Sequence, residues 1–267
     1  MVTNPRPLVT LEEEMDLYKK YTIKKYENDA VNEIEDDIII EHTLEILIND
    51  KPLVKLLCTP TSLKELATGF LASEGIITSY SDMLDIRVNN EKDRAFIKLT
   101  DEMYSYFGDN LMTQKTITSG CGKGITIGYP VLEDIESIDK KKHVNPEKIR
   151  KLIKSFNKNS ELFIKTGGVH SCALCSEDEI IYFEEDIGRH NALDKVIGKG
   201  IIHSINFEDK IVLSTGRLSS EIVYKALKRK IPVLISRSAP TDKAIDIATN
   251  KGITLVGFAR GNRMNIY

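Results

Sequence analysis

Two stretches of this sequence have residue types at spacings that could do chemistry. The first is "TSGCGKGITI", residues 118–127, which sets Cys121 among Gly120, Gly122 and Gly124. Backbone this rich in glycine makes a poor helix or strand interior, because glycine loses the most conformational entropy on ordering. A thiol placed there is accessible and can reach more than one surface. Lys115 and Lys123 nearby favour the thiolate, the nucleophilic form. The bland alternative is an irregular loop with an incidental cysteine.

The second stretch is "TGGVHSCALCSEDEIIYFEEDIGRHNALDKVIG", residues 166–198. His170, Cys172 and Cys175 lie close enough in it for a metal site to be considered. Zinc deaminases combine a His-x-Glu element with a separate Pro-Cys-x-x-Cys element. Here Cys172 stands where that glutamate would be, and no second cluster follows. No metal ligand is therefore assigned, and Cys172 and Cys175 read as small buried thiols. No strand is followed by Gly-x-Gly-x-x-Gly, which argues against a nicotinamide site. His190 with Asp186 and Asp194 reads equally as an acid–base set or as a capping arrangement at a helix start.

The elements that must position these residues fall into two halves with different patterns. In the last third, short apolar runs at "EIIYF", "KIVLS", "PVLIS" and "ITLVGF" are separated by helical segments starting near Asn191, Ser219 and Thr241. This alternation predicts a mostly parallel sheet with helical crossovers. Ligands bind such sheets beyond the carboxyl ends of the strands. The segments after these strands, "EEDIGRHN", "TGRLSSE", "RSAPTDK" and "ARGNR", are all polar and would gather Arg189, Arg217, Arg237, Arg260 and Arg263 on one rim. Helix starts at Ser219, Ser220 and Thr241 add backbone N–H donors. A phosphate-bearing ligand follows. A helix opening at Asn145-Pro146 precedes the sheet, with Ile149, Leu152, Ile153 and Phe156 on one stripe.

The first half reads as strands around one helix. "TLEILINDKPLVKLLCTP" is a hairpin turned at Asn49-Asp50-Lys51-Pro52, and "MLDIRVN" with "RAFIKLT" is another. Between them "TSLKELATGFLASEG" is an amphipathic helix with a capping box of Ser62 and Glu65 and a stop at Gly75. The expected organisation is a smaller α+β domain over residues 1–112, an interdomain loop over 113–143 carrying Cys121, and an α/β domain over 144–267.

The totals limit the function classes. A net charge of −3 gives no sequence-independent reason to bind nucleic acid. No apolar run approaches the roughly 18 residues of a membrane span. The start, "MVTNPRPLVTLEEEMD", has no signal-peptide core, so a cytoplasmic protein with four reduced cysteines is expected.

The motifs "TGGVH", "EEDIGRHNALDKVIG", "TGRLSSE", "SAPTDKAID" and "LVGFARGNRMNIY" resemble, in order, the formate dehydrogenase accessory sulfurtransferases, the FdhD/NarQ family. The resemblance spans roughly residues 115–267 and is looser before that, through "FLASEGII". It implies a sulfur carrier with a large domain like the cytidine deaminase fold. Such a carrier takes sulfur from a cysteine desulfurase as a persulfide on Cys121. It passes that sulfur to the molybdenum or tungsten bis(guanine dinucleotide) cofactor of formate dehydrogenase. Phe258, Ala259, Arg260, Gly261, Asn262 and Arg263 are the implied cofactor-binding segment, joined on the rim by Gly216, Arg217, Asp186 and His190. Arg217, Arg260 and Arg263 are expected at the phosphates, Gly216 and Gly257 where backbone approaches the ligand, and Asp186 or Asp194 at the guanine edge. The family loop reads Cys-Gly-x-Cys-Gly. Gly124 replaces its second cysteine here, so Cys172 or Cys175 would have to supply any second thiol. The rival expectation is a cofactor-binding chaperone without sulfur transfer. A zinc hydrolase is a weaker third. The oligomeric state is left open, with a homodimer as the candidate.

Overall fold

The structure, a computed structural model, describes residues 16–107, 115–118, 124–127, 135–138 and 144–267. The chain starts with a hairpin of β1 (Tyr18–Glu27) and β2 (Ala30–Ile39), turned at Asn28-Asp29. A second hairpin follows, β3 (His42–Ile48) with β4 (Lys51–Cys58). Its turn residues Asn49 and Asp50 have φ of 45° and 65°, a left-handed pair that Asn and Asp tolerate and that matches the twist of the strands. Leu44, Ile46 and Ile48 alternate inward from β3 and meet α1 (Leu63–Glu74). The strands β5 (Met83–Val88) and β6 (Arg94–Leu99) complete a sheet ordered β4-β3-β6-β5.

Gly75 ends α1 at φ 79°, as its sequence suggests. The expected capping box is absent. Ser62 takes a left-handed conformation, and its hydroxyl donates to Glu184 Oε1 at 2.9 Å instead of to its own helix. A contact to the other half of the chain has displaced the local cap.

Residues 101–143, read from sequence as irregular, include α2 (Asp101–Phe107) and an antiparallel pair, β7 (Lys115–Thr118) and β8 (Gly124–Ile127). Cys121 and Lys123 lie outside the described residues. Two helices follow, α3 (Pro146–Asn159) and α4 (Glu161–Thr166). Asn145 caps α3, accepting from Glu147 N at 2.8 Å, and its predicted stripe is buried.

The rest of the chain runs β9 (His170–Cys175), β10 (Ile180–Asp186), α5 (Arg189–Ile202), β11 (Ile211–Ser214), α6 (Ser220–Lys228), β12 (Val233–Ser236), α7 (Asp242–Lys251), β13 (Thr254–Arg260) and β14 (Arg263–Ile266). These strands form a sheet ordered β10-β9-β11-β12-β13-β14. The pairings β11–β12 and β12–β13 are parallel, and the antiparallel β9 between β10 and β11 leaves those two running the same way. Four strands therefore share the direction expected from the alternation. The correction is that β9 and β14 run against them, so the pairing is mixed. β9 is the "HSCALC" run that its cysteines had drawn into metal arithmetic. β14 is the chain end folding back on β13.

One face of this sheet packs on α3, burying Ala173, Cys175, Leu213, Ile235 and Phe156. The other face and α5, α6 and α7 share a single apolar cluster with α1 and the four-stranded sheet. The joint is the crossing of α1 and α5, where glycines let the backbones touch. A Cβ on Gly69 would lie 1.7 Å from the Asp194 carbonyl oxygen, and one on Gly198 1.9 Å from that of Glu65. A buried ion pair stands beside this contact, with Lys225 of α6 at 2.7 Å from Asp194.

Candidate functional site

Strand register brings the polar segments to one edge. Asp186, at the end of β10, lies opposite His170, the first residue of β9, and Ser214 at the end of β11 lies opposite Ser236 of β12. Thr215 reaches back to this corner, accepting from Ser171 N at 3.0 Å and lying 3.2 Å from His170 Nδ1. The serines serve the turns. Ser214 Oγ accepts from Gly216 N, Ser236 Oγ donates to Gly216 O, and Ser236 Oγ accepts from Ser238 N. The rim is thus braced from within, which leaves its longer side chains to face outward.

Asp186 is not one of those. It is fully buried, and both its oxygens are occupied. Oδ2 accepts from Thr59 N at 3.0 Å and Thr59 Oγ1 at 3.1 Å and lies 2.8 Å from Lys195 Nζ. Oδ1 accepts from Gly188 N and Asn191 Nδ2, each at 2.9 Å. Lys195, also without exposed surface, donates to Thr59 Oγ1 at 2.6 Å and Thr61 Oγ1 at 3.3 Å. The pair ties the β4–α1 connection to the start of α5. Asp194 is likewise committed to Lys225. Neither carboxylate is presented to a guanine edge, and this corrects the sequence expectation. Burying a charged lysine needs such saturation, since an unpaired buried charge costs several kcal/mol.

His190 pairs with neither aspartate. Its Nε2 lies 2.9 Å from Glu221 Oε2 on α6, so the acidic partner comes from an element distant in sequence. Arg189 lies against Gly216, where a Cβ would come within 2.8 Å of the Arg189 Cβ. Burial, then the charges of Arg189 and His190, push His170 below its ordinary value, so its imidazole is neutral at pH 7.

The segment Phe258–Arg263 is a hairpin end. Phe258 and Gly261 have φ of 50° and 55°, the β13–β14 register shifts between Gly257 and Arg260, and Arg260 lies opposite Arg263. Ala259 is fully buried, whereas Arg260, Gly261, Asn262 and Arg263 are exposed. Arg260 Nε donates to Arg237 O at 2.8 Å, and Arg237 donates to Asn157 Oδ1 at 3.1 Å. Phe258 N bonds Ser238 O, which fastens this hairpin to the β12–α7 segment. Arg217 and Arg263 are exposed, and no hydrogen bond or ion pair engages them among the described residues. Thr241 caps α7 with its hydroxyl, while Ser219 caps α6 without a side-chain bond.

Cys172 and Cys175 are fully buried on opposite faces of β9, one in each apolar cluster. They therefore cannot converge with His170 on one ion, and among the described residues no three His, Cys, Asp or Glu side chains come together as metal ligands. Burial and then the Asp186 charge push the Cys58 thiol up to about 12, and burial takes Cys175 to about 12. Burial holds Cys172 well above its ordinary value. These thiols are protonated and unreactive. No helix among the described residues is long and apolar enough to cross a membrane.

Sequence reasoning missed Thr59, Lys195, Thr215 and Glu221. Lys195 carried a signal, a lysine inside "ALDKVIG" with Leu193, Val196 and Ile197 around it. The others had none, because their roles depend on partners brought in by the fold.

The FdhD/NarQ family model matches residues 39–267. A sulfur carrier protein FdhD from Listeria innocua is 38% identical over 257 residues, 95% of this chain and 97% of its own. The protein of the same name from Bacillus subtilis is 33% identical over 246 residues, 91% of this chain and 92% of its own. A crystal structure of a formate dehydrogenase accessory protein from Desulfotalea psychrophila superposes with a TM-score of 0.77 at 25% identity, over 94% of this chain and 96% of its own.

Proposed function

The chain belongs to the FdhD/NarQ family, and from that premise we propose that it carries sulfur for formate dehydrogenase by a persulfide on Cys121. A cysteine desulfurase loads the thiol. The sulfur then passes to the metal of a bis(guanine dinucleotide) cofactor, which is substrate and cargo, before that cofactor enters formate dehydrogenase. The observation that carries the reading is the strand-end rim. Arg217 is exposed there, next to the serine-braced turn at Gly216, and Arg263 is exposed opposite Arg260 at the β13–β14 hairpin. A guanidinium fork matches phosphate oxygens, and two dinucleotides present several.

This chain's own residues divide the work. Lys195 and Asp186 hold the start of α5, and with it Arg189 and His190, in place on the rim. His170 stays neutral beside Arg189 and so adds no fixed charge. The buried thiols Cys172 and Cys175 do not take part, which leaves Cys121 as the single carrier thiol despite Gly124.

Mass spectrometry after incubation with a cysteine desulfurase and cysteine tests the sulfur step. The expected result is one added sulfur, removed by reductant, on the peptide containing Cys121. Cys121→Ala should lose both the adduct and the activation of formate dehydrogenase. A Cys121→Ala protein that activates the enzyme fully would leave a chaperone that never handles sulfur.

A further inference from the structure

Helix α3 carries a surface that neither the core nor the rim accounts for. Between Glu147 and Glu161 the sequence holds five basic residues and no acid, in a chain of net charge −3. Ile149, Leu152, Ile153 and Phe156 are the buried stripe of the helix, which turns Lys151, Lys154 and Lys158 to the opposite side within about 60° of arc. All three are exposed, and no hydrogen bond or ion pair engages them among the described residues. Lys148 differs, held by Glu177 at 3.0 Å and Asp178 at 3.1 Å at the sheet edge away from the rim. The spacing works against the helix itself. Lys154 lies three residues from Lys151 and four from Arg150 and Lys158, and like charges at those spacings repel. Solubility alone is better served by mixed signs. The lysine crest also leads to the rim. From the β9–β10 turn, α3 climbs the sheet for about 21 Å. Near its end Asn157 Oδ1 accepts from Arg237 at 3.1 Å, Arg237 O accepts from Arg260 Nε at 2.8 Å, and Arg260 lies opposite Arg263.

We propose that the crest of Lys151, Lys154 and Lys158 is the docking surface for the enzyme that receives the cofactor, met by an acidic patch on that enzyme. This rests on the reading above, in which formate dehydrogenase takes the cargo from the rim. The protein that must lie against the rim is the one that empties it, whereas the sulfur donor needs only Cys121. A partner seated on the crest has its edge at Arg237 and Arg260, beside the bound cargo. Opposite charges raise the rate of encounter and set the orientation of the two proteins. Pairs that stay in contact with water hold weakly, so the enzyme leaves once it is loaded.

Binding of the full chain to formate dehydrogenase purified without its cofactor, followed by surface plasmon resonance over a salt series, tests this. An exposed ion pair is worth about a factor of two to three in affinity. Lys151→Gln, Lys154→Gln and Lys158→Gln together should therefore weaken docking about tenfold and flatten its salt dependence. In that triple variant GDP affinity and the sulfur gained at Cys121 should be unchanged. Lys98→Gln, which removes an exposed lysine on the four-stranded sheet, should dock as wild type does. Circular dichroism checks that α3 stays folded. A carbodiimide, which joins an amine to a carboxylate in contact with it, should link Lys151, Lys154 or Lys158 to Asp or Glu residues of the enzyme. No docking by wild type, a triple variant that docks equally well, a GDP affinity that falls with docking, an equal loss in Lys98→Gln, or cross-links that avoid α3 would each overturn the proposal. The docking assay needs no sulfur, so a chain that fails to load Cys121 yet docks through α3 refutes the sulfur step and supports this contact.

Discussion

A single methyl group at the α1–α5 crossing tests whether the two halves are held by backbone contact. The Cβ of Gly198→Ala would lie 1.9 Å from the Glu65 carbonyl oxygen, where ordinary contact begins at 3.4 Å, so the helices must part by about 1.5 Å. The obstacle is backbone on both sides, which no rotamer change can relieve. Alanine gains about 1 kcal/mol over glycine in a helix interior. Overpacking a tight contact costs about 1–3 kcal/mol, and more where backbone must move. Parting α1 from α5 also stretches the buried bridge in which Lys225 lies 2.7 Å from Asp194 of α5 and 3.4 Å from Glu74 of α1. The cost should exceed the gain by about 2 kcal/mol, which for a chain of this size lowers the melting temperature by about 4–8 °C. Gly69→Ala, with its Cβ at 1.7 Å from Asp194 O, should behave alike. The double substitution should cost less than the sum, because the first methyl has already opened the gap that the second needs. Calorimetry on the four proteins reads all of this. A Gly198→Ala protein as stable as wild type, or additive losses, would refute the crossing as drawn.

On the rim, Arg217→Ala and Arg263→Ala should each weaken GDP about ten- to a hundredfold, the loss of one charged hydrogen bond of about 1.5–3 kcal/mol. Calorimetric titration with GDP and ADP checks it, and no loss in either variant would remove the phosphate role. For the thiols, native protein treated with iodoacetamide should show no label at Cys58, Cys172 or Cys175 by peptide mass, and full labelling in denaturant, because burial keeps all three protonated. For pH, the folded state holds His170 below its ordinary value, so the unfolded chain takes up that proton first as pH falls. The stability lost is absent above about pH 6.5 and grows below it. His170→Gln should therefore lose less melting temperature than wild type between pH 7 and pH 5, and equal losses would contradict the assignment.

Much of the architecture could be read from local pattern, and the exceptions have physical causes. Helix starts at Asn145, Ser219 and Thr241 and the stop at Gly75 depend on residues within one turn, and all four lie where the sequence puts them. Ser62 did not cap, because Glu184 from a strand far along the chain competes for its hydroxyl. β9 was obscured by its composition. "HSCALC" is buried on both faces, so it shows no alternation, and its cysteines invited a ligand reading. The arginines of the rim could be placed from strand–loop order alone. The acids could not, since whether Asp186 faces a ligand or Lys195 depends on which apolar helix face carries a lysine inward.

Arg217, Arg260 and Arg263 are exposed at the strand-end edge of a chain of net charge −3. Three carboxylates on the elements behind it are engaged inside the protein, Asp186 by Lys195 and Asp194 by Lys225, while Glu221 lies against His190. Each of these acids is spent on an internal contact that also fixes an element, whereas Arg217 and Arg263 are left exposed. A buried lysine that only filled space would be costly. Lys195 is the group that compensates Asp186 at the end of β10. By this argument Lys195→Met would do more than loosen the β4–α1 connection. It would release Asp186 as an uncompensated anion behind the rim, and anion affinity would fall even where the fold survived.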